Sequence, residues 1–292
     1  MIKIKKLSTA NFKDFKYLLI KAKKQLQYNL DFDRNYANKN ALYRYIMRKM
    51  VTLVYEDEKP VGYIWTDAFS FEQQLKINDM YFVEECLPKI NSGMIKILKN
   101  NNVIYEAFEN TYTSMLVSKL NMTKYRETHL LKLKGYTNNK IQNNNIYLRK
   151  CRKKLDRKLR CEIQNDIFYE AQRIPLTVSD IEYDENQDYY IDDLCYFMIK
   201  DNYVIGYGQI IFSKGAFFIV NFGIVQQYRG RGYGKILLNE LIYIAHKTGI
   251  KELYIQVDKR NHIAERLYLE NGFERIGNIS FWKWDNKLRS DG

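Results

Sequence analysis

Four cysteines in 292 residues, Cys86, Cys151, Cys161 and Cys195, are too few for a disulfide-stapled scaffold, and they show no CxxC or Cys/His ligand spacing. Three histidines, His129, His246 and His262, give a histidine-based metal centre little to work with, and no metal is expected. With 3 prolines and 14 glycines, collagen-like and low-complexity classes are excluded. No apolar run approaches the roughly 18 residues a membrane-crossing helix needs. The first residues lack a signal peptide's apolar stretch: Lys5 and Lys6 follow Ile4, and Lys13, Asp14 and Lys16 interrupt what comes next. A soluble, cytoplasmic protein is the expectation.

What is present is a 46% hydrophobic composition, enough for real cores, together with 25 tyrosines and a net charge of +13. The charge is uneven. Residues 1–135 carry 23 Lys/Arg against 14 Asp/Glu, residues 136–160 carry 9 against 1, and residues 161–292 carry 15 against 19. The densest basic run is Arg149-Lys150-Cys151-Arg152-Lys153-Lys154, continued by Arg157, Lys158 and Arg160. Leu148, Cys151, Leu155 and Leu159 fall within it at helical spacing. It reads as an amphipathic helix with a solvated basic face; a polyanion site is the alternative. The polar stretch just before it, residues 136–145, reads as a linker.

Val51 to Tyr55 and Val61 to Trp65, separated by Glu56-Asp57-Glu58-Lys59-Pro60, predict a hairpin. Tyr196 to Ile199 and Val204 to Gly208, separated by Lys200-Asp201-Asn202-Tyr203, predict another. Both second strands contain a β-branched residue followed by Gly-Tyr, which suggests an internal repeat. Phe217 to Val225 predicts a strand buried on both faces. A glycine-rich turn follows, Arg229-Gly230-Arg231-Gly232-Tyr233-Gly234, then a helix ending at Gly249, a strand over Leu253 to Val257, a helix over Asn261 to Glu270, and a strand or hairpin over Phe273 to Trp284. This is an α/β layout.

The turn between buried strand and helix favours an anion. Its glycines let the backbone approach closely and turn its N–H groups inward, the helix N-terminus adds partial positive charge, and Arg229, Arg231 and Lys235 add full charges. A ligand with a pyrophosphate fits this arrangement. The turn matches neither GxxxxGK[ST] nor GxGxxG. Downstream stands Asn261-His262-Ile263-Ala264-Glu265-Arg266-Leu267-Tyr268-Leu269-Glu270-Asn271-Gly272-Phe273. With that segment in place, residues 195–284 resemble the GNAT family of acetyl-CoA-dependent N-acetyltransferases, through its Q/R-x-x-G-x-G/A coenzyme loop and its N-x-x-A-x-x-L/F-Y-x-x-x-G-F segment.

The resemblance implies a mixed, mostly antiparallel sheet flanked by helices, and acetyl-CoA as cosubstrate. It implies that the strand ending at Ile224-Val225 pairs with the pantetheine arm. Gly230, Arg231, Gly232, Tyr233, Gly234 and Lys235, with Arg229, would cradle the pyrophosphate, and Asn261 would contact the coenzyme. Tyr268 would protonate the departing thiolate, with packing on a helix face as the alternative. The acceptor amine would attack the thioester directly, and a main-chain N–H at Ile224 or Val225 would face the oxyanion. Gln226 stands where the family often has proline.

An ungapped slide sets Val83 to Gly93 under Ile224 to Gly234, and Asn110 to Val117 under Asn261 to Tyr268. Only Gly93 survives of the loop glycines, Pro88 replaces Arg229, Glu84 and Glu85 add negative charge, and Val117 replaces Tyr268. Gly93 and Asn110 are 17 apart, whereas Gly234 and Asn261 are 27 apart, so the helix between is shorter by nearly three turns. Residues 1–135 therefore resemble a degenerate copy of the same fold, joined through 136–145 to a catalytic domain at 146–292.

Between Asp180 and Asp193 lie seven acids with no Lys or Arg, interleaved with Tyr183, Tyr189 and Tyr190. They read as a solvated acidic loop or as a patch drawing a cationic amine. Glu182 and Asp184 are candidates to act on the acceptor, with Tyr207 a further acceptor-side candidate. The leading expectation is an N-acetyltransferase for a small or peptidyl amine, without membrane or nucleic-acid partners. A non-catalytic acetyl-CoA or effector module and a nucleic-acid-associated protein using residues 149–160 are the rivals.

Overall fold

The computed structural model describes residues 2–25, 32–37, 39–67, 74–98, 102–135, 145–170 and 173–285. Nearly all of the expected linker lies outside them. The chain divides into two compact units: residues 1–128 with 277–292, and residues 129–276. The division departs from chain order at both ends, because units follow sheet pairing and the last strand pairs with unit 1.

Unit 1 begins with β1 (Ile2–Lys6), α1 (Phe12–Gln25), α2 (Phe32–Ala37), α3 (Ala41–Met50), β2 (Val51–Glu56), β3 (Lys59–Thr66) and β4 (Leu75–Phe82). A 3-10 turn (Glu84–Lys89), α4 (Gly93–Lys96), β5 (Asn102–Phe108) and α5 (Thr111–Lys119) follow. The strand β6 (Thr123–Leu133) crosses the boundary between units. Unit 2 continues with β7 (Ile146–Lys150), α6 (Arg157–Ile167), α7 (Val178–Glu185), β8 (Cys195–Lys200), β9 (Tyr203–Ser213) and β10 (Ala216–Ile224). After a 3-10 turn (Gln226–Tyr228) come α8 (Tyr233–Lys247), β11 (Leu253–Asp258), α9 (His262–Glu270) and β12 (Phe273–Asp285), whose second part belongs to unit 1.

Strands run β1-β2-β3-β4-β5-β12 in unit 1 and β6-β11-β10-β9-β8-β7 in unit 2. Both sheets are mixed. Each has one short parallel ladder, β4 with β5 over Leu75–Ile77 and β10 with β11 over Phe217–Ile219. Both predicted hairpins form. Their turns place Asp57 and Glu58, and Asp201 and Asn202, at positive φ, the conformation that matches the twist of two antiparallel strands.

Two expectations on secondary structure change. Leu148 and Cys151 do not lie on a helix: β7 pairs antiparallel with β8, Leu148 opposite Met198, and the helix starts only at Arg157. Strand pairing overrides the helical spacing there, and Leu155 is left exposed. Of β10, only Phe218, Ile219 and Ile224 are buried. From Val220 to Gly223, where it has lost its β11 neighbour, it is half-buried.

Each unit has its own core. Phe15, Phe32, Tyr63 and Trp65 meet edge-to-face in unit 1, with Phe15 and Phe32 4.7 Å apart. In unit 2 the buried face of α8, Leu237, Leu238, Leu241 and Ile242, packs on β9 and β10. Among the described residues, no helix is long and apolar enough to cross a membrane.

Candidate active site

The site is built where β10 leaves β11. Their ladder ends with Ile219 opposite Ile255, and a bulge follows between Val220 and Gly223, with Asn221 at φ 51°. A bulge increases local twist and bends the strand. Gly223 lies under the end of α6; a Cβ there would meet Ile167 Cγ2 at 2.3 Å. Only glycine lets the helix end approach the strand so closely.

The two expected oxyanion donors are not equivalent. The Val225 N–H donates to Ile205 O at 3.0 Å and is engaged by β9. An extended strand alternates its N–H groups between edges, so that of Ile224 faces the split. Ile224 remains a candidate; the Val225 N–H is already taken by Ile205.

Past β10 the chain makes the 3-10 turn and enters α8 through Gly230 and Gly232, at φ 74° and 80°. Gly232 is the N-cap, with no side chain to satisfy the first helical N–H groups, and the first turn holds no acid. The opening N–H groups of a helix have no intrahelical partner. Lys235 N–H turns back to Gly232 O at 3.1 Å, leaving Tyr233 and Gly234 to open the helix. Arg231 stacks its guanidinium 5.7 Å from the Tyr228 ring, and Tyr228 lies 6.3 Å from Tyr233. This is a bare, positive helix end built from main chain.

Arg229 does something else. Its Nε donates to Ile224 O at 3.0 Å and its Nη2 to Ile167 O. The guanidinium therefore ties the end of β10 to the end of α6 and positions the loop; it is not aimed outward as a phosphate ligand. Asp166 completes this joint by accepting the Gln226 N–H at 2.8 Å.

Asn261 is the N-cap of α9, its side chain accepting from Ala264 N–H at 3.1 Å. Asn110 caps α5 in the same way through Thr113 N–H. Helix capping thus accounts for the asparagine shared by both halves. Tyr268 is buried on α9, its ring 5.9 Å from Phe222 on β10 and 6.1 Å from Phe273. Among the described residues its hydroxyl has no hydrogen-bond partner, and it is not sealed from solvent. Burial pushes its phenol well above the ordinary tyrosine range, so near neutrality it holds its proton.

The acceptor-side candidates are drawn into internal pairs. Arg157 pairs with Glu182 at 2.7 Å and with Glu185 at 2.7 Å, and Arg160 pairs with Asp184. Asp184 also accepts the Tyr189 hydroxyl at 2.7 Å. Lys150 and Lys153 pair with Asp193 and Asp192, and Asp156 binds Arg149 and Arg152. The densest basic run and the acidic run are therefore largely each other's partners. Tyr207 is fully buried, its hydroxyl on Gln209 Oε1 at 3.1 Å and on Cys195 Sγ at 3.0 Å.

Sequence reasoning missed Asn221, Phe222, Gly223, Asp166 and Ile167. The last two lie about sixty residues before the loop they hold; no local spacing announces such a contact.

A mixed sheet split beside a bare helix N-terminus is the architecture of this site. Residues 161–273 match the acetyltransferase (GNAT) family, and this part of the chain is a GNAT-family acetyltransferase domain. An uncharacterised N-acetyltransferase of Bacillus subtilis, YycN, is 40% identical over 57 residues, 20% of this chain and 36% of that protein. The ribosomal protein bS18 alanine N-acetyltransferase of Haemophilus influenzae is 27% identical over 113 residues, 38% of this chain and 73% of that one. The chain thus spans about a third of the first relative's length. A tandem GNAT protein from the clavulanic acid biosynthesis pathway shares the fold at TM-score 0.66 and 8% identity, with 98% of each chain covered.

Proposed function

We propose that the chain transfers an acetyl group from acetyl-CoA, bound in unit 2, to a primary amine by direct attack. The observation that carries this reading is the α8 entry. Gly232 sits at φ 80° with no capping side chain and no acid in the first turn, beside a strand that has left its parallel neighbour. A pyrophosphate suits the helix end, and an extended arm suits the open edge of β10. The Ile224 N–H is the donor proposed to polarise the thioester carbonyl. Tyr268, kept protonated by burial, is the donor proposed for the leaving thiolate.

The acceptor is a small or peptidyl amine. A name such as that of the Haemophilus relative makes N-terminal alanine peptides a natural part of the panel. The test follows free CoA thiol across small amines, polyamines and peptides, together with calorimetric titration of acetyl-CoA. Thiol release dependent on one amine class, with one coenzyme bound per chain, is expected. Failure of acetyl-CoA to bind would overturn the reading.

A further inference from the structure

Ion pairing engages the densest basic run and further cations in both units. The run at residues 149–160 is matched by acids, and in unit 1 Lys3 and Lys5 meet Glu58, Lys89 meets Glu56, and Lys124 meets Glu109 and Glu127. The helical layer of unit 1 differs. Five lysines on α1 accompany one acid, Asp14, which accepts the Tyr55 hydroxyl at 2.8 Å. On α3 stand two arginines and one lysine with no acid. Of these eight cations Lys16 meets Asp33, and Arg44 and Arg48 are held by Tyr36 and Ala37; Lys13, Lys21, Lys23, Lys24 and Lys49 have no carboxylate at ion-pair distance among the described residues. Burial, with the like charge of Lys49 adding to it, pulls the nearby Lys6 ammonium below its usual range.

The same layer exposes rings and aliphatic side chains between its cations. On α1, Tyr17, Ile20, Lys21 and Lys24 recur at one-face helical spacing, and on α3 Leu42, Tyr45 and Lys49 do the same. Tyr17, Tyr43 and Tyr45 are each about half exposed, and Ile20 and Leu42 are 64% and 67% exposed. Lys21 lies 4.9 Å over the Tyr17 ring, and Lys49 5.3 Å over that of Tyr45. The helices form one layer through Tyr36 of α2, whose ring meets Phe12 of α1 at 5.2 Å and the Arg44 guanidinium of α3 at 5.6 Å.

We infer that this face of unit 1, α1 with α3, binds single-stranded nucleic acid. Unpaired cations at helical intervals suit a phosphate backbone, and exposed tyrosines suit the faces of unpaired bases. A duplex would hide those faces, and a carboxylate polymer would use only the charge. The inference is independent of the acetyl-transfer reading, because every residue it uses lies in unit 1.

The test is fluorescence anisotropy of the full chain with labelled 15-mers of oligo-U and oligo-dT at 50 and 200 mM KCl. The two probes report which sugar is preferred. Binding should weaken at least tenfold across that salt interval. Lys21→Gln/Lys24→Gln/Lys49→Gln should cut affinity at least tenfold and lower the salt slope by about 2, near 0.7 for each lost contact. Tyr43→Ala/Tyr45→Ala should weaken the oligomers about tenfold while leaving residual binding to polyphosphate unchanged. Thermal unfolding of each variant at the parent temperature shows that the fold is intact. No binding of either oligomer at 50 mM KCl would overturn the inference. So would equal competition by polyglutamate, tighter binding to a duplex or to phosphatidylserine vesicles, or indifference to both sets of substitutions.

Discussion

The two units treat one piece of geometry in opposite ways. In both, a parallel ladder of three residue pairs ends and the two strands part. In unit 2, Ile224 lies opposite Gly206; in unit 1, Phe82 lies opposite Gly62. The next residue behaves alike, Val225 N–H bonding Ile205 O and Val83 N–H bonding Val61 O. Phe82 is thus the counterpart of Ile224, one place from the ungapped alignment that set Val83 there. At Phe82 the cleft is filled: the Tyr112 hydroxyl accepts the Phe82 N–H at 2.8 Å and donates to its C=O at 2.8 Å. A side chain of α5 takes the N–H whose counterpart is open in unit 2, and the C=O whose counterpart there accepts from Arg229.

The helix that follows differs as much. In unit 2 it has fifteen residues behind a left-handed glycine; in unit 1 it has four behind Ser92 at φ −59°. A helix of one turn sums few peptide dipoles, and Glu84 and Glu85 stand before it. In unit 1 an internal hydroxyl takes the main-chain N–H that the proposed reading gives to a ligand in unit 2, so a split sheet by itself does not make a binding site.

Four measurements would break or sharpen this comparison. The largest effect is expected from Tyr268→Phe, which keeps the ring against Phe222 and removes the proton. Turnover should fall about 10²–10⁴-fold with acetyl-CoA affinity unchanged, and Val117→Tyr should add nothing. Because burial raises the Tyr268 phenol, turnover should show no alkaline decline from this group up to the ordinary tyrosine range near pH 10. Full turnover of the Phe variant would assign the ring to packing alone.

Next, Gly232→Asp puts a Cβ at φ 80° and a carboxylate at the bare helix end. Acetyl-CoA affinity should drop about a hundredfold by calorimetry, whereas Gly93→Asp in unit 1 should leave it alone. Equal losses would mean that both units bind coenzyme.

A third effect concerns stability. Burial pushes the Asp79 carboxyl up to about 7, against the hydrogen bond it receives from Tyr63. The folded chain holds that proton where the unfolded one has lost it. The contribution is therefore full below about pH 4 and is lost as pH rises to about 7. Denaturant unfolding should show unit 1 weaker at pH 8 than at pH 5 by on the order of 2–3 kcal/mol. Asp79→Asn should flatten the slope, and a persisting slope would point to another group.

The smallest effect is that of Tyr112→Phe. It strands the buried N–H and C=O of Phe82, at about 1–2 kcal/mol in unfolding free energy, with acetyl-CoA affinity unaffected. A variant as stable as the parent would show that the plug contributes nothing.

Much of this was legible in the sequence. The Gly-Tyr hairpin strands, the glycine turn before a long amphipathic helix and the Asn261 to Phe273 segment each leave a local mark, since turn chemistry and helix periodicity act over a few residues. The shared Gly-Tyr strand led correctly to the repeated hairpin. The role of Arg229 was not legible: its neighbours in sequence suggest a phosphate ligand, but its hydrogen bonds reach Ile224 and Ile167. The charges misled for a similar reason. The run at residues 149–160 is dense in sequence yet largely paired in space, while of the sparser cations of α1 and α3 Lys16 alone meets a carboxylate among the described residues.

The sequence by itself determined the GNAT resemblance of residues 195–284, the order of elements in unit 2 and the glycines that open α8, because each depends on short-range backbone preferences. Tertiary structure alone decided which main-chain groups stay open at the two splits. That choice turns on Tyr112 reaching Phe82 across thirty positions of chain, and on Ile167 resting against Gly223. Contacts of such separation are set by packing and hydrogen-bond satisfaction in three dimensions, which no local pattern encodes.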